Sequence, residues 1–254
     1  MTLTPTTDAR RPEPATAGGA IAPLRAELAP GRPSAAPAKS IRVENLVKDY
    51  HTTIGRKRVL DGISFEVRMG EKMGVLGRNG AGKSTLARLL AGVEQPSAGR
   101  VTRGLYMSWP LGFAGVLPGM MTGMDNIRFV ARLYDRPIDE TVDFVDDFAE
   151  LGRNLLIPLK EYSSGMTMRL AFALTLAIDF DCLLIDEVLS VGDQRFHQKC
   201  HEALFVQRKH KALILISHDQ GTIREYCDRA LVLKEGRGRV FDDMELALDI
   251  YRTL

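Results

Sequence analysis

This chain of 254 residues lacks the marks of a secreted, metal-stapled, strongly charged or membrane-spanning protein. Its three cysteines, Cys182, Cys200 and Cys227, show no short metal-ligand spacing. They read as reduced thiols in a cytosolic compartment. Charge of one sign is missing too. With 34 basic and 32 acidic residues the formal charge is +2, which gives no electrostatic case for nucleic acid as a partner. The most apolar stretch, residues 170–178, falls far short of the roughly 20 residues a transmembrane helix needs. The twin Arg10-Arg11 is followed by Pro12, Glu13, Pro14 and then Arg25 and Glu27, so no apolar run completes an export signal. Any membrane role of such a chain is expected to come through a partner.

What is present is enough apolar material, 45 % of residues, to bury a sizeable core. It is unevenly placed. Residues 1–38 are rich in Pro, Ala and Thr without a period of 2 or 3.6, which predicts a disordered tail with at most a transient helical turn around 21–28. Strand patterns follow at 41–43, 63–67 and 73–76, then a glycine-rich turn, a helix from 83 to about 91, and a strand near Val101. Helical periodicity covers Ile127 to Leu133 and Val142 to Phe148, and resumes after Ser163-Ser164. The last third alternates strand and helix: 182–185, 196–209, 213–216, 222–227 and 230–233. That order predicts an α/β fold whose largely parallel sheet is interrupted by a mostly helical insert.

Chemistry enters at Gly77-Arg78-Asn79-Gly80-Ala81-Gly82-Lys83-Ser84, a G-x-x-x-x-G-K-S pattern set between a predicted strand and helix. Glycines let the backbone wrap phosphates with successive N–H groups turned inward, and the helix N-terminus adds partial positive charge. Lys83 supplies a point charge to the β/γ-phosphates of ATP, Ser84 offers a hydroxyl to Mg²⁺, and Thr85 continues the site into the helix. A second pattern is the apolar strand 183–185 ending in Asp186-Glu187. Asp186 is suited to hold Mg²⁺, directly or through water, and Glu187, on the other face, to polarise an attacking water.

In this order the motifs resemble those of ABC-type ATPases. Ser163-Ser164-Gly165-Met166 is similar to the signature motif, Ser190-Val191-Gly192-Asp193 to the D-loop, and Ser217-His218-Asp219 to the segment of the switch histidine. The resemblance runs from residue 41 to 254. It implies a P-loop NTPase with a RecA-like parallel core sheet, an antiparallel β subdomain and an inserted helical subdomain. The core and β parts are expected at 39–110 and 181–254, and the helical insert at about 111–180. It also implies a head-to-tail homodimer, with ATP held between the P-loop of one subunit and Ser163, Ser164, Gly165 and Asp193 of the other. His218 would then contact the γ-phosphate, and Tyr50 or its neighbour His51 would stack on adenine.

The segment Ser108-Trp109-Pro110-Leu111, continued by Leu117-Pro118-Gly119-Met120-Met121-Thr122-Gly123-Met124-Asp125-Asn126, narrows the resemblance to ATPases of capsular polysaccharide exporters. O-antigen and teichoic acid exporters are close relatives. The implied partner is an integral permease dimer, and the implied location is the cytoplasmic face of the bacterial inner membrane. The apolar, Met- and Gly-rich stretch 109–124 is expected to be the permease-docking surface; the plainer alternative is that Trp109, Phe113 and Leu117 fill core. Two motifs depart from the family. Ser164 and Met166 replace the usual glycine and glutamine of the signature, and Pro118 stands where relatives carry the Q-loop glutamine, offering neither a side-chain ligand nor an N–H. A soluble ABC ATPase would usually carry two cassettes or coiled-coil arms, and a P-loop small-molecule kinase would need neither the serine pair nor the switch histidine.

Overall fold

The structure is a computed structural model, and it describes residues 39–53, 55–110, 117–186 and 194–254. The predicted tail, Phe113, Glu187 and the segment 190–193 lie outside the described residues.

Two sheets carry the fold. In the first, β1 (Ser40–Thr52) pairs antiparallel with β2 (Gly55–Arg68) on one side and with β4 (Ala98–Arg103) on the other. Ile41, Val43, Ile63, Phe65 and Val67 are buried and alternate with exposed Arg42, Ser64 and Arg68, the pattern of a sheet with one wet face. The second sheet has the order β5-β6-β3-β7-β8, formed by β3 (Lys72–Gly77), β5 (Cys182–Asp186), β6 (Ala212–Ile216), β7 (Arg229–Lys234) and β8 (Arg237–Phe241). Its first four strands are parallel, and β8 returns antiparallel beside β7.

The parallel strands are apolar along their whole length because both faces are covered. Cys182, Leu184, Ile214, Ile216, Leu231 and Leu233 pack in one core with Leu86, Leu89 and Leu90 of α1 (Lys83–Ala91) and with the first sheet. The residues between them, Leu183, Ile185, Leu213, Leu215, Ala230 and Val232, enter a second core shared with the helices. There lie α2 (Gly123–Leu133), α3 (Ile138–Ala149) and α4 (Ser164–Ala177). Nearly every residue of α4 from Leu170 to Leu176 is buried, so it runs through the middle of this layer instead of along its surface.

The polypeptide after β5 is predicted as one helix over 196–209; it divides into α5 (Gln194–His201) and a widened π turn, Glu202–Val206. That turn carries Phe205, whose ring stacks at 3.7 Å on Tyr226 of α6 (Gln220–Tyr226). Among the described strands and α-helices, two have no counterpart in the sequence reading, β8 and α7 (Met244–Arg252). Their signals were local: Glu235-Gly236, both at positive φ, form the two-residue turn of a hairpin, and Asp243 caps α7 by accepting from the Leu246 N–H.

The stretch expected to dock a partner divides. Trp109 packs on Tyr134 and Phe180 with ring centroids 5.5 Å and 5.4 Å away, Tyr106 joins the same two rings from its own side, and Leu117 is buried. Burial there pushes the Tyr134 phenol up to about 12. Met124 is partly buried against the core, whereas Met120 is 76 % exposed. For Trp109 and Leu117 the plainer alternative is therefore the right one, because an aromatic of that size gains more from the cluster than from solvent.

Phe148, Phe172 and Phe196 meet with centroids 5.8–6.2 Å apart and join α3, α4 and α5 into one block. Truncating the central ring, Phe172→Ala, should lower unfolding free energy by about 3–5 kcal/mol, and Phe172→Leu by less. Denaturant melts of the two variants measure this; an unchanged midpoint for Phe172→Ala would show that the block does not depend on the ring.

Candidate functional site

The parallel strands end at one edge. Register places Val75 beside Ile216 and Ile216 beside Asp186, so Asp186 sits two strand spacings, about 10 Å, from β3. It shares the face of Cys182 and Leu184, the face packed on α1. The carboxyl edge of such a sheet is where α/β proteins gather ligands.

Between β3 and α1 the backbone turns sharply, with Ala81 N–H donating to the Arg78 carbonyl at 3.0 Å. Gly82, the residue that precedes α1, has φ 108°; a Cβ there would lie 2.5 Å from Leu60 Cδ2 and 3.1 Å from the Val59 carbonyl. A Cβ on Gly77 would meet the Leu233 carbonyl at 2.9 Å. The glycines are thus required twice, for the turn itself and for its seating against β2 and β7. No acidic residue occupies the first turn of α1, so its free N–H groups and positive end face the cleft uncompensated.

Lys83 is 8 % exposed, and its ammonium donates to the carbonyls of Gly77 at 2.7 Å and Arg78 at 3.4 Å. These bonds hold a full positive charge at the centre of the loop. The cleft above it, about 610 Å³, is lined on one side by Asn79, Gly80, Gly82, Lys83, Ser84 and Thr85. That volume is within the range of small-molecule sites. The other wall comes from Lys57, Arg58 and Val59 of β2 and from Glu235 and Gly236 of the β7–β8 turn. No local motif announces these five, since strand pairing brings them in from distant parts of the chain.

The remaining site candidates are spread over the molecule. Ala81 is buried beside the loop, Ser84 is exposed, and Thr85 is buried with its hydroxyl accepting from Arg88 at 3.3 Å. His218 follows β6 and is exposed; next to it Asp219 caps α6, and the Thr222 hydroxyl and N–H hold its carboxyl below the usual range. Ser163 caps α4 by accepting from Met166 N–H at 3.2 Å, with Ser164 and Gly165 opening the helix. None of Ser163, Ser164 and Gly165 lines the cleft of Lys83. Glu187 and Asp193 belong to the segment outside the described residues.

Tyr50 is bound into a network. Its hydroxyl donates to Glu94 Oε2 at 2.6 Å and accepts from Arg88 at 3.1 Å, while Lys48 lies 5.0 Å from its ring centre. Burial alone would raise the Glu94 pKa; the bonds from Tyr50, Arg88 and Lys48 outweigh it and hold the carboxyl down at about 2. His51 is exposed at the end of β1.

Comparison with known proteins agrees with this architecture. A family model described as ABC transporter matches residues 60–190. The chain is similar to the ATP-binding protein BexA of Haemophilus influenzae, 53 % identical over 211 residues that cover 83 % of this chain and 97 % of that protein. It is also similar to the capsule polysaccharide export ATP-binding protein CtrD of Neisseria meningitidis serogroup B, 51 % identical over 214 residues covering 84 % and 99 %. In fold it resembles the dimeric structure of a post-hydrolysis state of an ATP-binding cassette bound to ADP and Pi, with TM-score 0.68, 19 % identity and coverage of 79 % and 97 %.

The Glu94 network gives a pH test. Its folded pKa lies below the ordinary 4.5, so its contribution is present above that value and is lost as pH falls toward about 2. Glu94→Gln should therefore lower the melting temperature at neutral pH and flatten its fall between about pH 4.5 and 2. Thermal melts across that window check it, and identical acid limbs in both proteins would contradict it.

Proposed function

Because this chain belongs to the ABC transporter family, we propose that it is the ATP-binding and hydrolysing subunit of a transporter that exports a polysaccharide, a capsular one, across the bacterial inner membrane. The observation that carries the reading is the 51 % identity that spans 99 % of a capsule polysaccharide export ATP-binding protein. No helix among the described residues is long and apolar enough to cross a membrane. In this reading the path through the bilayer belongs to a permease dimer, on whose cytoplasmic face the subunit sits.

The residues present fit ATP. A glycine turn at positive φ, an uncompensated helix end and a buried ammonium make a cradle for a polyphosphate. They fit Mg²⁺ as well. Such an ion is bound mainly by phosphates with one or two protein oxygens. Ser84 and Asp186 would supply those oxygens, and the ion would neutralise charge on the β- and γ-phosphates. Glu187 takes the proton of the attacking water, and His218 donates to the γ-phosphate.

The α4 N-terminus, capped by Ser163 and free of acidic residues in its first turn, is a second phosphate-ready helix end that faces no P-loop in its own chain's cleft. A head-to-tail second copy supplies one, which completes the site with Ser163, Ser164, Gly165 and Asp193. A permease contact at Met120 has a route to that end. Asn126 Nδ2 donates to the carbonyls of Pro118, Met121 and Thr122, which fixes the turn that presents Met120. The same turn accepts from Leu159 N–H at Met121 and from Lys160 N–H at Gly119, close before the cap of α4. Displacement of the turn would be passed along this backbone ladder.

Two experiments test the reading. Lys83→Ala should abolish measurable ATP binding, whereas Glu187→Gln should bind ATP and remain a stable dimer without turnover. Nucleotide titration and sedimentation decide this; undiminished affinity in Lys83→Ala would remove the P-loop assignment. Met120→Glu should leave folding and ATP binding intact while the subunit no longer co-purifies with its permease. A variant that still docks would reject Met120 as a contact.

A further inference from the structure

We propose that Lys57 is a second phosphate-binding cation of the cleft, supplied by β2 and acting on the side opposite Lys83. The inference rests on the assignment of that cleft to ATP and adds to it a residue outside every motif.

Three observations converge on it. Lys57 lines the same cleft as Asn79, Lys83 and Ser84, which puts it within reach of whatever the glycine loop holds. Among the described residues its ammonium makes no hydrogen bond or ion pair, and only its backbone is engaged, in the β1/β2 ladder, unlike the side chain of the other basic residue of that wall. Arg58 is bonded to Asp49 at 3.0 Å and to Asp61 at 2.9 Å, so its charge is already spent within the sheet. The register of the hairpin also sets Lys57 directly opposite Tyr50. Side chains opposite each other in an antiparallel pair leave the same face, with Cβ atoms about 5 Å apart. Lys57 therefore shares its strand face with Tyr50, the residue proposed for the base, and its cleft with Lys83, the residue proposed for the β/γ-phosphates.

Electrostatics favours the same position. Glu235 is the one carboxylate among the described residues lining this cleft, and it opposes any polyphosphate there. A free ammonium on the facing wall offsets it. Lys83 cannot do so alone, because it is buried beneath the loop and bonded to loop carbonyls. The β2 wall is rigid enough to aim the side chain: the Asp61 N–H donates to the Gly236 carbonyl at 2.8 Å, and Gly236 leaves no room for a Cβ against the Val59 carbonyl. Its charge would act from a partly wet site, so it tunes affinity and leaves the chemical step alone.

The test compares Lys57→Ala, Lys57→Arg and Lys83→Ala in the full chain, with ATP, ADP and adenosine as titrants. Lys57→Ala should weaken ATP binding about five- to tenfold and ADP binding less, and adenosine binding should be unchanged. The loss should shrink as salt rises, and KM for ATP should increase with kcat held. Lys57→Arg should restore most of the affinity. Unchanged ATP affinity in Lys57→Ala while Lys83→Ala loses it would overturn the role of Lys57 and leave the cleft assignment standing. Equal losses for ATP and adenosine would also overturn it. Retention of ATP by both Lys57→Ala and Lys83→Ala would remove the nucleotide reading of the cleft itself.

Discussion

The seat of the glycine turn between two sheets is the constraint on which the rest of the structure depends. Gly77 lies against the Leu233 carbonyl and Gly82 against Leu60, so neither sheet tolerates a side chain at these points. That contact joins the antiparallel β1-β2-β4 sheet to the parallel one across α1. It also fixes where the N–H groups of α1 and the Lys83 ammonium point. A cradle for phosphate is therefore part of the core packing and not an ornament on a loop, and its geometry is as stiff as the interior that holds it.

The helical layer is tied in by a different device. Glu150 adopts φ 55° after α3 and faces Lys199 at 3.1 Å, Arg195 at 3.7 Å and Arg169 at 3.9 Å, drawing α4 and α5 toward the end of α3. Arg169 and Lys199 also lie 4.7 Å and 5.0 Å from the ring centres of Phe196 and Phe148. These are partly exposed pairs and each is weak, but together with the phenylalanine block they make the three helices move as a unit. Since α4 opens at Ser164, such a unit carries the capped start of α4 with it.

Much of this was legible in the residues. The helix expected from 83 to about 91 after the glycine turn is α1, and the apolar runs of β5 and β6 announced buried strands. The P-loop and Ser163 cap needed only local chemistry. Part of what escaped was set by tertiary contact. A π turn at Glu202–Val206 follows no sequence period and coincides with the stacking of Phe205 on Tyr226. The β7–β8 hairpin hides in a short Glu235-Gly236 turn, and the second wall of the cleft exists only because that hairpin and β2 meet. Trp109 was ambiguous for a physical reason: an apolar residue in a loop suits a partner and a core equally, and only its neighbours decide.

The central claim, that ATP hydrolysis by this chain drives a polysaccharide across a membrane, is tested most directly in inverted inner-membrane vesicles that contain its permease and a lipid-linked polysaccharide. With purified subunit and ATP·Mg²⁺, polymer should become protected inside the lumen. With a non-hydrolysable ATP analogue it should remain on the outer surface. Protection that proceeds equally with the analogue, or with the subunit left out, would contradict the account.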